Sequence, residues 1–136
     1  MEKMEILLVE DNAGDAVLIR QILADAAVPV NLHIARDGEQ AMTILGDGRF
    51  LPKLIILDLN IPRISGSALL ERWKTLKTPV VVFSSTSSDV ERDRALALGA
   101  REFIQKPSDL DGFTQAVYGI VERYGGPAAS AGGAGR

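Results

Sequence analysis

Residues 54–62 read Leu-Ile-Ile-Leu-Asp-Leu-Asn-Ile-Pro. Four apolar side chains in a row, two of them β-branched, describe a strand buried on both faces, since a strand with one wet face would alternate with polar residues. The run Leu54 to Asp58 therefore reads as a central parallel strand that ends on a carboxylate. Working outward, Glu5 to Val9 and Pro79 to Ser84 carry the same near-continuous Ile, Leu and Val signal. Asn31 to Ala35 and Arg101 to Gln105 are strand-like but more mixed.

Between these runs the apolar spacing changes from strand to helix. Ile19, Ile22, Leu23 and Ala26 share a face in the first interval, and Leu69, Trp73 and Leu76 mark the third. Leu110, Phe113, Val117, Val121 and Tyr124 mark the last. Asp37-Gly38-Glu39-Gln40 and Ser88-Asp89-Val90-Glu91 fit helix-capping boxes, Ser65 can cap a third helix, and Gly99 suits the end of the fourth. Five strands alternating with five helices imply an α/β fold: a (βα)5 doubly wound, five-stranded parallel sheet covered on both faces, because right-handed crossovers leave few other packings. Residues 1–124 make the expected domain, and residues 125–136, almost all Gly and Ala, read as a flexible tail.

Composition narrows the chemistry. The chain has 136 residues, 46% of them hydrophobic and 24% charged, which suits one globular domain with its own core. The absence of cysteine excludes disulfides, thiolate metal sites and thiol nucleophiles. A net charge of -3 is too mild to require nucleic acid or an anionic membrane as partner. The apolar runs are strand-sized, and no basic segment followed by an apolar stretch opens the chain, so a cytoplasmic location is expected.

Sheets of this kind place their chemistry beyond the carboxyl ends of the strands. Those ends carry Glu10-Asp11, Asp58, Ser84-Ser85 and Lys106-Pro107. Taken singly, polar residues after strands are turn formers; gathered at one edge, they make a site. Glu10, Asp11 and Asp58 would raise one another's pKa unless a cation shared the pocket. An all-oxygen set favours Mg²⁺, and three carboxylates against Mg²⁺ and one lysine sum to zero.

With these motifs in order, the sequence resembles the CheY-like receiver domain of bacterial two-component response regulators, from Ile6 to about Tyr124. Leu8-Val9-Glu10-Asp11-Asn12, Asp37-Gly38-Glu39-Gln40-Ala41, Ile56-Leu57-Asp58-Leu59-Asn60-Ile61-Pro62, Gly66, Ser84 and Lys106-Pro107 carry the likeness. The resemblance implies the flavodoxin-like strand order 2-1-3-4-5. It implies that Asp58 is the phosphoacceptor, taking a phosphoryl group from the phosphohistidine of a sensor histidine kinase. Asp11 and Asp58 would bind Mg²⁺ directly, Glu10 through water, and Asn60 by its backbone carbonyl. Lys106 would pair with a phosphoryl oxygen, Ser84 would donate its hydroxyl to the same group, and Pro107 would follow a cis bond that aims Lys106. Phe103, three residues before Lys106, stands where the family keeps a switch aromatic, although a core role suits it nearly as well. Glu10 replaces a commoner aspartate, Ser84 a commoner threonine and Ser85 a usual alanine; Asn60 and Thr86 occupy positions that tune phosphate lifetime.

The likeness is to stand-alone regulators paired with phytochrome-type sensor kinases, with output by protein contacts and a homodimer formed through the fourth helix, fifth strand and fifth helix. A phosphorelay intermediate or phosphate sink is the alternative within the family. A flavin or nucleotide module would need a phosphate cradle where Glu10-Asp11 stands. A hydrolase of the haloacid dehalogenase type would need Asp-x-Asp on the first strand, which Glu10-Asp11-Asn12 does not supply. His33 reads as a packed or half-exposed strand residue, Trp73 as a core anchor, and Glu91-Arg92-Asp93-Arg94 as a solvated helix face.

Overall fold

The computed structural model describes residues 3–46 and 48–125. Five parallel strands, β1 (Met4–Val9), β2 (Val30–Ala35), β3 (Leu54–Leu57), β4 (Val80–Ser84) and β5 (Glu102–Gln105), alternate with α1 (Ala13–Ala24), α2 (Gly38–Gly46), α3 (Gly66–Arg72), α4 (Asp89–Ala97) and α5 (Leu110–Gly125). The sheet order is 2-1-3-4-5, as expected. Of the expected tail, only Gly125 is among the described residues, and it closes α5 with its Cα packed close to Met4.

The strand pattern divides the core in two. Ile6, Leu8, Leu54, Ile56, Val81 and Phe83 point to one face, where Ile19 of α1 and Phe113, Val117 and Ile120 of α5 cover them. Leu7, Val9, Ile55, Leu57 and Val82 point to the other, against Ala41 of α2, Leu69 and Leu70 of α3 with Trp73 at its end, and Ala95 of α4. β3 is buried at every position, as its sequence demands. Each such side chain contributes roughly 1.5–3 kcal/mol relative to exposure, which is why the middle strands are so uniformly apolar. Trp73 is a core anchor. The edge strand β2 is only half-buried, and there His33 bonds Glu5 at 2.7 Å and stacks obliquely on Phe50.

Helix starts follow their capping residues. The Ser65 and Ser88 hydroxyls accept from the backbone N–H groups of Ala68 and Glu91, and Asp37 accepts from Gln40. The Gln40 side chain in turn accepts from the Arg36 N–H rather than from Asp37 itself. Asn12 and Asp109 do the same for α1 and α5, by accepting from Asp15 and Gly112. α3 is shorter than the Leu69-Trp73-Leu76 spacing suggests. The Trp73 N–H is shared between the Leu69 and Leu70 carbonyls, the turn tightens there, and Leu76 is left exposed.

Gly66 fixes the approach of α3 to the loop after β3. Its N–H donates to the Leu59 carbonyl at 3.2 Å, and a Cβ at position 66 would lie 2.6 Å from the Leu59 Cα. Backbone cannot yield as a flexible side chain can, so Gly66→Ala is expected to destabilise the protein by about 1–3 kcal/mol. Urea unfolding checks this: an unchanged midpoint would show that α3 can shift away freely.

Candidate functional site

The topology makes the site. The chain leaves β1 outward to β2 and returns past β1 to β3, so the crevice beyond β1 and β3 is the switch point of the sheet. Backbone pairing carries each functional residue one step past its strand. The Glu10 N–H donates to the Ala35 carbonyl, the Asp58 N–H to Val9, and the Lys106 N–H to Ser84. Side chains far apart in sequence are thereby brought to one rim.

Lys106 lies at the centre. Its Nζ donates to Glu10 Oε1 at 2.7 Å, to Asp15 Oδ2 at 2.8 Å and to Asp58 Oδ2 at 3.0 Å. An ammonium has three protons, so these contacts use all of them. The other Asp58 oxygen, Oδ1, accepts from the Ser84 hydroxyl at 3.2 Å and from the Asn60 N–H at 3.0 Å. Glu10 Oε2 accepts from the Asn12 N–H at 3.1 Å. Glu10, Asp58 and Ser84 are the polar residues buried in the core.

Burial is the largest influence on Glu10. It pushes the carboxyl up, the Asp58 charge adds to the rise, and the Lys106 hydrogen bond offsets only part, leaving the pKa at about 7. Burial also works against the Lys106 ammonium. There the hydrogen bonds to Asp15 and Glu10 and the charges of Glu10 and Asp58 outweigh it, so Lys106 is held above the ordinary lysine range.

The structure thus brings together Glu10, Asp58, Ser84 and Lys106, with Asn60 entering by its N–H. Asp11 is exposed beside them and outside the lysine's contacts. Phe103 is half-buried on β5 and borders a cavity of about 160 Å³ together with Thr86, Ser88, Arg92 and Gln105. Two expectations change. No cis peptide bond occurs among the described residues, so the Lys106–Pro107 bond is trans. Trans is the lower-energy form by about 0.5–1 kcal/mol, and Lys106 is aimed instead by continuing the β5 pairing to Ser84 and by its three carboxylates. The other change is Asp15, a further carboxylate on the lysine that sequence reading passed over. Asn12-x-x-Asp15 has the form of a helix-capping pattern, and nothing local ties Asp15 to a lysine 91 positions away.

Among the described residues, no three acidic or histidine side chains converge as a preformed metal cage, since the lysine stands between the carboxylates. The donor set nevertheless suits a hard divalent cation: every acceptor is an oxygen, and three carboxylates face a single ammonium.

Fold and pocket together define a doubly wound α/β protein whose buried carboxylates meet a lysine at the switch point. Residues 6–118 match the response regulator receiver domain, and the chain belongs to that family. It is 32% identical over 127 residues to a probable methanogenesis regulatory protein, FilR2, of Methanothrix harundinacea, covering 88% of this chain and 82% of that one. The phosphorylated cyanobacterial phytochrome response regulator RcpA superposes with a TM-score of 0.84 at 33% identity, covering 90% of this chain and 94% of that one. The Mn²⁺-bound form of response regulator Rcp1 does so with a TM-score of 0.81 at 30% identity, covering 88% and 92%. The chain spans only about half the length of several transcriptional regulatory proteins that it also matches, 47% of one and 50% of another. It is a receiver domain, a phosphoacceptor of two-component signalling rather than an enzyme. Such domains work with a sensor histidine kinase and bind Mg²⁺ near the phosphorylation site. No helix among the described residues is long and apolar enough to cross a membrane.

The raised Glu10 has a measurable consequence. In metal-free protein, folded Glu10 keeps its proton up to about pH 7, whereas the unfolded side chain releases it near 4.5. Between those values the native state binds more protons, so stability falls as pH rises. Urea midpoints measured in chelator on either side of this window should decline with pH, and Glu10→Gln should flatten the decline. An equal slope in both proteins would remove Glu10 as the cause.

Proposed function

We propose that Asp58 is the phosphoacceptor, taking its phosphoryl group from the phosphohistidine of a sensor histidine kinase. The observation that carries this is the dressing of its carboxylate: Oδ2 faces the Lys106 ammonium, and Oδ1 faces the Ser84 hydroxyl and the Asn60 N–H. One carboxylate oxygen attacks phosphorus as the P–N bond breaks, and the imidazole leaves with the electron pair of that bond. Charge spreads over the equatorial oxygens of the transferring group. Lys106 then stabilises that charge, and Ser84 and the Asn60 N–H supply donors already aimed at the spot. Glu10 acts through Lys106, holding it at the rim from below.

Mg²⁺ would be held by Asp11, Asp58 and the Asn60 carbonyl, with Glu10 through water, and would neutralise charge on the transferring oxygens. Asp11 suits this part because it is exposed at the mouth of the pocket and free of the lysine. For output, phosphorylation gives Ser84 a new acceptor and draws it toward Asp58. The cavity bordered by Phe103 gives that aromatic ring room to turn, which would remodel the face formed by α4, β5 and α5.

The same face is the proposed homodimer contact, and a phytochrome-type kinase is the proposed donor. Likeness to RcpA over nearly the whole of both chains supports the second. The Glu91-Arg92-Asp93-Arg94 run of α4 is exposed, and Arg92 pairs with its helix neighbours Asp89 and Asp93, so the run is open to a partner.

Asp58→Asn is expected to abolish labelling by a phosphorylated kinase, while Asp11→Asn weakens Mg²⁺ affinity and slows transfer. Acid-labile phosphate retained on the Asp58→Asn protein would move the acceptor elsewhere. For the dimer, light scattering with and without beryllofluoride should show association; a monomer under both conditions would end that proposal.

A further inference from the structure

Lys106 has no free proton to offer. Its three N–H bonds point to Glu10, Asp15 and Asp58, yet a phosphoryl group on Asp58 needs one of them. The three acceptors are not equally able to let go. Glu10 is sealed in the core at 1% exposure, so water cannot take the place of the lysine there. Asp58 is the reacting group. Asp15 sits on the first turn of α1 with its side chain 31% exposed, so water can take over its oxygens. Its backbone stays fixed meanwhile, because its N–H donates to Asn12 Oδ1 at 2.8 Å and α1 is capped there.

Charge points the same way. Counted with every carboxyl ionised, Glu10, Asp15 and Asp58 against Lys106 leave two negative charges, and Asp11 at the rim adds a third. Mg²⁺ therefore does not bring the pocket to neutrality once Asp15 is counted. An incoming phosphoryl group meets a carboxylate that occupies its lysine.

We propose that Asp15 is a positioning residue that holds Lys106 in the unphosphorylated protein and competes with the phosphoryl group for it. Asp15 thereby sets how readily the phosphorylated state forms and how long it persists. The inference rests on the reading of Asp58 as phosphoacceptor.

The test is titration of the whole chain with beryllofluoride in saturating Mg²⁺, followed by amide shifts of Ser84 and Lys106. Asp15→Asn removes the charge and keeps the shape, and thermal unfolding confirms that it is folded. It should bind beryllofluoride roughly three- to tenfold more tightly than the parent, the scale of a half-exposed charged hydrogen bond. Asp15→Glu, which keeps the carboxylate, should restore the parent affinity. In a Lys106→Ala background, where there is no lysine to contest, Asp15→Asn should change nothing. Affinity that is equal or weaker in Asp15→Asn overturns the proposal, as does a gain that survives in Lys106→Ala. If the parent itself binds no beryllofluoride while Asp58→Asn behaves identically, it is the phosphoacceptor reading that fails.

Discussion

The lysine that three carboxylates share is the constraint on which the rest of the site depends. Lys106 joins the ends of β1, β3 and β5 and the first turn of α1 through contacts of 2.7–3.0 Å. Bringing an ammonium and two carboxylates out of water costs several kcal/mol per ion, recovered only where partners sit at hydrogen-bond distance with few lone pairs left over. That condition is met here: Glu10 uses its second oxygen on the Asn12 N–H, and Asp58 uses its second on Ser84 and Asn60. Three carboxylates nevertheless share one ammonium, and burial holds Glu10 above the ordinary carboxylate range.

The scaffold makes such a pocket possible by keeping its middle strands dry on both faces. Alternate residues of β1 face α1 and α5 or face α2, α3 and α4, so neither side can shift without opening a core. Rigidity ends where the strands end. The half-buried Phe103 and its cavity, and the exposed α4, lie beyond the ends of β4 and β5.

Much of this was legible along the chain. The Leu54–Leu57 run, the Ile-Leu-Leu-Val of β1 and the Val-Val-Val of β4 announce buried parallel strands because only burial on both faces tolerates such uniformity. Ser65 and Ser88 mark their helices because capping is a local bond, three residues long. Where the competition is not local, sequence reading falls short. Leu76 has helical spacing yet lies past the turn that Trp73 closes, and the Lys106–Pro107 bond is trans, with the Lys106 N–H paired to Ser84.

Glu10, Asp58, Ser84 and Lys106 could be named as a group from sequence because each directly follows or closes a strand, and parallel strands present those positions at one edge. Their partners could not. That Lys106 bonds Asp15 and that Glu10 rather than Asp11 faces the lysine are outcomes of distances between β1, β5 and α1. Strand periodicity and helix capping are properties of neighbouring residues, so the amino-acid sequence determined the scaffold and the candidates. Which carboxylates share one ammonium depends on the register of β1, β3 and β5 and the placement of α1, and only the tertiary structure decided that.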